Sequence, residues 1–244
     1  MSTISALSNS IRYTLLSLVL FPGANHSKDE FDKEGINLYR EASHLLLQNE
    51  IHLGSTYYAL TSARNAVIFM NPSPLPSPRD IREFPWDSIH WLIVNEAETR
   101  EMYHALISDP LIHKPKLQPL ISTMSTRELV ASLSALPKFR KTNIICTLGS
   151  NGVLAFVPTF HRPKTENETP SFMYLPAAKV VGGVKDTTGA GDTFAGYFVQ
   201  GIMEFGPGAK VGKDIGETDV MKVLKVCVQV SSSFSCETDK SLKT

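Results

Sequence analysis

Gly182-Gly183-Val184-Lys185-Asp186-Thr187-Thr188-Gly189-Ala190-Gly191-Asp192-Thr193-Phe194-Ala195-Gly196-Tyr197-Phe198 is the stretch whose reading decides the fold. Small residues run into a single Asp, and a helical pattern follows at once. Gly189 and Gly191 let the backbone turn tightly and bring its N–H groups close to a ligand. At a helix N-terminus, unpaired donors and the helix dipole together favour an anion. Asp192 stands beside that anion hole, where a carboxylate is suited to take a proton from an attacking hydroxyl. The segment reads as an anion hole plus a base, which fits phosphoryl transfer to an alcohol. The same letters also describe a plain tight turn with Asp192 as an ordinary N-cap.

Around this stretch the composition is that of a globular protein. The chain has 244 residues, 42% of them hydrophobic and 20% charged. That length fits a single α/β domain over residues 1–244 with a substantial core. Lys+Arg and Asp+Glu are both 24, so charge offers no case for nucleic acid or an anionic membrane. Cys146, Cys227 and Cys236 form no metal-binding spacing, and such a sparse, odd count fits a reducing compartment. The expected location is therefore cytoplasmic, with nuclear entry left open. An apolar run from Tyr13 to Phe21 is read as a buried strand in preference to a signal peptide, and it is too short to span a bilayer.

Apolar runs alternate with helical patterns along the chain. Strands are expected at Leu15–Phe21, His44–Leu47, Ala66–Met70, His90–Val94, Asn143–Leu148 and Val153–Val157. Helices are expected from Ser27 to Tyr39, then over Ser55–Arg64, Glu96–Ile107, Ser125–Leu136, Thr193–Glu204 and Thr218–Ser232. The Pro-rich segment Asn71–Pro85 and the polar segment His161–Pro170 read as loops. This alternation implies an α/β fold, a mostly parallel sheet with helices on both faces. Ligands then bind beyond the carboxyl ends of the strands. Trp86 and Trp91 read as packing residues and the scattered His as surface residues.

Other candidate residues fall at those strand ends. Asn95 and Glu98 are three apart at a helix start, so they share a face. They suit water held around Mg2+, and equally a reciprocal N-cap. Thr147-Leu148-Gly149-Ser150-Asn151-Gly152 reads as a hairpin turn whose backbone N–H groups and Thr147 could line a nucleotide. Neither a P-loop nor a proper G-x-G-x-x-G is present. Leu45-Leu46-Leu47-Gln48-Asn49-Glu50-Ile51 ends a strand in an acid that suits sugar hydroxyls or plain solvent. Asp186 and Thr188 offer oxygens just before the anion hole, or an Asx-type turn.

Taken together, these segments resemble the ribokinase-like carbohydrate kinases. D-T-T-G-A-G-D-T-F-A-G is similar to their C-terminal motif, N-E-A-E to their N-x-x-E, T-L-G-S-N-G to their T-x-G-x-x-G, and L-L-L-Q-N-E-I to a sugar-contacting run. The Pro22-Gly23-Ala24-Asn25 and Asn71-Pro72-Ser73-Pro74 turns lean toward the ribokinase branch. The resemblance implies ATP-dependent transfer of the γ-phosphate to a sugar hydroxyl, with D-ribose as the expected acceptor. It implies Asp192 as base and sugar contact, Gly189, Ala190 and Gly191 at the transferring phosphoryl group, and Glu50 on the sugar. It further implies Asn95, residues 147–152, Gly191 and Asp192 at the nucleotide. Glu98 is implied in the water shell of Mg2+, and Asp186 and Thr188 at a monovalent cation, with K+ as activator.

The resemblance covers residues 14–235 and begins in the middle of the family pattern. An N-terminal Asn-x-Asp, the lid strands and a G-G-x-x-x-N segment are not found before Leu15, Val94 stands where a Pro is common, and the tail from about residue 231 departs from the usual basic-Gly-Ala turn. A chain truncated in this way is expected to have an open sugar pocket, an uncovered sheet edge and a tendency to aggregate. A homodimer is compatible with the family, although its contacts often come from the lid. The competing expectation is an impaired or inactive fragment acting as a nucleotide-binding or interaction module.

Overall fold

A computed structural model describes residues 38–108, 118–178 and 189–237. The strand expected at Leu15–Phe21, most of the helix begun at Ser27, and Asp186 and Thr188 lie outside the described residues. A six-stranded sheet runs in chain order: β1 His44–Gln48, β2 Val67–Asn71, β3 Trp91–Asn95, β4 Asn143–Thr147, β5 Val153–Phe156 and β6 Met173–Leu175. Strands β1 to β4 are parallel, and β5 and β6 add antiparallel at the end. The parallel strands read as unbroken apolar runs because both of their faces are covered.

Alternation along each strand sorts side chains to two cores. Leu45, Leu47, Ile68, Met70, Leu92, Val94, Ile144 and Cys146 face one side. There they meet α1 Leu53–Ser62, α2 Pro78–Glu83, α3 Glu96–Ile107 and α5 Thr126–Ala135, which follows the short α4 Gln118–Thr123. Phe69, Trp91, Ile93, Ile145, Val153 and Ala155 face the other side. That side is covered by α7 Ala190–Met203 and α8 Glu217–Glu237, beyond the single turn α6 Pro158–His161. The expected α/β architecture with helices on both faces is the one observed.

Aromatic packing seats α7. Phe69 and Trp91 lie parallel on adjacent strands, 6.3 Å apart, and Phe198 of α7 meets Trp91 edge-on at 4.9 Å. On the outer side α7 presses on α8 through Gly201, where an added Cβ would lie 2.6 Å from Val223 Cγ1. The absent side chain is what lets the two helices approach.

Two expectations need correction, and one strand is unexpected. The Pro-rich segment contains a helix, α2. Ser77 accepts from the Asp80 N–H and Pro78 sits in the first turn, so a cap and a pre-set φ start a helix that composition alone argues against. Strand β6 falls in a stretch left unassigned; three residues between prolines carry too little pattern to be read. The histidines are not all at the surface, since His44 and His161 are buried. His161 Nδ1 accepts from the Val157 N–H at 2.7 Å, which places its proton on Nε2, 3.2 Å from Glu217 Oε1. Trp86 and Trp91 are core residues, as expected.

Candidate active site

The parallel strands end in polar residues along one edge: Gln48, Asn71, Asn95 and Thr147. Gln48 is in register with Asn71, and Asn95 with Thr147. Two amides brace this edge. Asn71 donates to the Ile93 carbonyl at 2.8 Å, and Asn49 donates to the Pro74 carbonyl at 2.7 Å, tying the loops after β1 and β2 together. Glu50 stands exposed two residues past Gln48.

The first turn of α7 reaches this edge. Gly189 is the N-cap, with φ 76° and no side chain to cap the turn. The helix therefore opens at Ala190, earlier than the expected Thr193. Asp192 is its third residue, not its N-cap, so the plain-cap reading of this carboxylate fails. Gly191 has ordinary helical backbone, and none of the described residues lies within 4 Å of where its Cβ would be. The expected tight turn thus belongs to Gly189 alone. Asp192 is exposed, and its Oδ1 accepts from Gln48 Nε2 at 3.1 Å. Nothing in the run Leu45–Ile51 marks Gln48 as a site residue. The two residues are 144 positions apart, and no local pattern joins them.

Asn95 caps α3. Its Oδ1 accepts from the Glu98 N–H at 2.9 Å, and Glu98 Oε2 accepts from the Asn95 N–H at 2.9 Å. The reciprocal capping reading of these letters is realised. One oxygen of Glu98 and the amide nitrogen of Asn95 lie outside that exchange. The turn is pinned from below, with the Thr99 hydroxyl donating to the Asn95 carbonyl at 2.7 Å and lying 3.5 Å from Cys146 Sγ. Burial pushes the Cys146 thiol up to about 12, so it is an inert packing group. Glu98 and water suit Mg2+ carried in on phosphates, since that ion keeps several waters and needs few protein ligands. Among the described residues no three His, Cys, Asp or Glu side chains converge on a metal position.

Residues 147–152 turn β4 into β5. Leu148 N–H donates to the Gly152 carbonyl, and residues 149–151 form a single 3-10 turn. Gly152 has φ 100°, and a Cβ there would lie 2.0 Å from the Leu175 carbonyl oxygen, so this glycine is required by the positive φ of the turn and by the close approach of the end of β6. The Thr147 hydroxyl faces the Val94 carbonyl at a long 3.5 Å.

The profile described as pfkB family carbohydrate kinase matches residues 17–218. The chain belongs to the pfkB family of carbohydrate kinases. Within this family it is 29% identical over 195 residues to a ribokinase of Lactococcus lactis, a match spanning 77% of this chain and 50% of that protein. It is 28% identical over 192 residues to a ribokinase of Dictyostelium discoideum, spanning 77% of this chain and 55% of that one. Among solved structures, the ribokinase of Cryptococcus neoformans in complex with ADP is 35% identical, with TM-score 0.58, covering 78% of this chain and 55% of that one. An adenosine kinase of Schistosoma mansoni shares the fold at 16% identity, with TM-score 0.59. This pfkB chain spans about half the length of the curated relatives it matches. Among its described residues no helix is long and apolar enough to cross a membrane.

Proposed function

We propose that the chain is a ribokinase-like sugar kinase that transfers the γ-phosphate of ATP to a sugar hydroxyl, with D-ribose as the acceptor. One observation carries the reading. Asp192 is held in the open first turn of α7, at the polar carboxyl edge of the sheet, beside a glycine that neither its dihedral nor its packing among the described residues requires. In a helix a glycine is less favourable than alanine, by up to about 1 kcal/mol in the interior and by less in the first turn. Close approach of a ligand gives that cost a purpose. The ADP-bound ribokinase of Cryptococcus supports the nucleotide part of the reading.

In this mechanism the sugar oxygen forms a bond to the γ-phosphorus as the bond to the ADP oxygen breaks in line. Asp192 accepts the hydroxyl proton. N–H groups of Gly189, Ala190 and Gly191 stabilise charge on the transferring group. Glu50, exposed beyond Gln48, takes a sugar hydroxyl. Asn95 and residues 147–152 seat the nucleotide. Glu98 would hold water of a Mg2+ ion, and the chemistry such an ion would supply is neutralisation of phosphate charge. Asp186 and Thr188 are assigned to a K+ site, and the location to the cytoplasm.

The test is ADP release by the purified chain with ATP, Mg2+, K+ and D-ribose, against a blank without sugar. Ribose-dependent release should fall by roughly 10²–10⁴-fold in Asp192→Asn, the range of general-base catalysis, while ATP binding persists. Folded protein that releases no ADP with ribose would reject the kinase reading in favour of a nucleotide-binding module. Unchanged turnover in Asp192→Asn would reject the base.

A further inference from the structure

We infer that Gln48 is a positioning residue for Asp192, fixing one carboxylate oxygen so that the other faces the acceptor hydroxyl. The inference rests on the kinase reading above. Its geometric basis is the 3.1 Å hydrogen bond from Gln48 Nε2 to Asp192 Oδ1. An ionised carboxylate only accepts, so the amide must present its NH2 and not its oxygen.

The backbone under Gln48 is fixed more firmly than that of a loop residue. It closes β1, in register with Asn71, whose own amide is committed to the Ile93 carbonyl. The next residue, Asn49, is tied to the Pro74 carbonyl. The donor therefore sits on the sheet, while the carboxylate sits on a helix packed across the sheet's other core. The bond spans these two layers at the point of reaction. A glutamine suits this place. It donates to a carboxylate, has no proton to exchange with it, and adds no charge. A carboxylate there would repel Asp192, and a hydrocarbon would leave it to rotate.

Two measurements test this. The first is the side-chain amide signal of Gln48 in an ¹⁵N-correlated spectrum, assigned by its loss in Gln48→Leu. It should stand apart from free glutamine amides and return to them in Asp192→Ala. A signal at the free position, indifferent to Asp192→Ala, would overturn the pairing whether or not the chain is active. The second is ribose-dependent ADP release. Gln48→Leu should lower kcat about tenfold, in line with loss of one hydrogen bond to a charged group, with KM for ATP unchanged. Gln48→Glu should lower it further. Full kcat in both variants would overturn the positioning role while leaving the kinase reading intact. A shifted amide signal in a chain that turns over no sugar would keep the pair and sink the kinase reading.

Discussion

A methyl group added at Gly191 would meet no atom of the described residues within 4 Å, whereas one added at Gly152 would lie 2.0 Å from a backbone carbonyl oxygen. Both glycines sit in motif segments, and the letters alone do not separate them. Gly191→Ala should leave the melting temperature unchanged or raise stability by up to about 1 kcal/mol through helix propensity. The same variant should cost at least tenfold in ribose-dependent ADP release, because the added carbon occupies the approach to the first turn. Retained activity would remove Gly191 from the anion hole. Gly152→Ala should destabilise by roughly 2 kcal/mol or more, from the positive φ and the clash together, as read by chemical denaturation. At this scale the sequence was legible where one residue type has one physical use, as with Gly189 at a positive φ. It was silent on Gln48, whose meaning comes from a residue on another element.

Helix α3 runs Glu96–Ile107, the bounds that its start signal and apolar spacing give, because Asn95 and Glu98 form a complete capping box. Ser125 and Glu128 do the same for α5. Removing a cap costs about 1 kcal/mol. Ser125→Ala should therefore lower stability by about that amount and leave turnover alone. Asn95→Ala should show the same loss of stability and also weaken ATP binding; an unaltered affinity would confine Asn95 to its cap. One pair of residues can serve both roles because a capping box leaves one carboxylate oxygen and one amide nitrogen unused. The sequence could not choose between the roles, since they demand the same letters at the same spacing. Elements escaped notice where the pattern was short. Helix α2 is six residues inside a proline-rich stretch, and β6 is three.

Burial lowers the pKa of His44 and of His161, the latter only partly offset by Glu217. Each is held neutral in the folded state below the ordinary histidine value of about 6.5. The unfolded chain then binds more protons between the folded and unfolded values, so stability rises with pH across that window. Thermal melts should be flat above about pH 7 and fall as the pH drops through about 6.5. Melts independent of pH down to about 5.5 would contradict the buried neutral histidines. The two sheet faces offer a parallel check. Cys146 lies in one core and Cys227 in the other, and burial pushes each thiol up to about 12. Neither should be alkylated in folded protein, and mass spectrometry after brief iodoacetamide treatment reads both. Labelling at one alone would identify the face that opens first. Gly201 has a mechanical consequence at this scale. It lies about 13 Å along the helix axis from Asp192, by the rise per residue. With α8 pressed against it, the helix behaves as a beam on a fulcrum. A wedge as small as one methyl at position 201 would tilt the far end, and the chemistry there would change without any reacting group being touched.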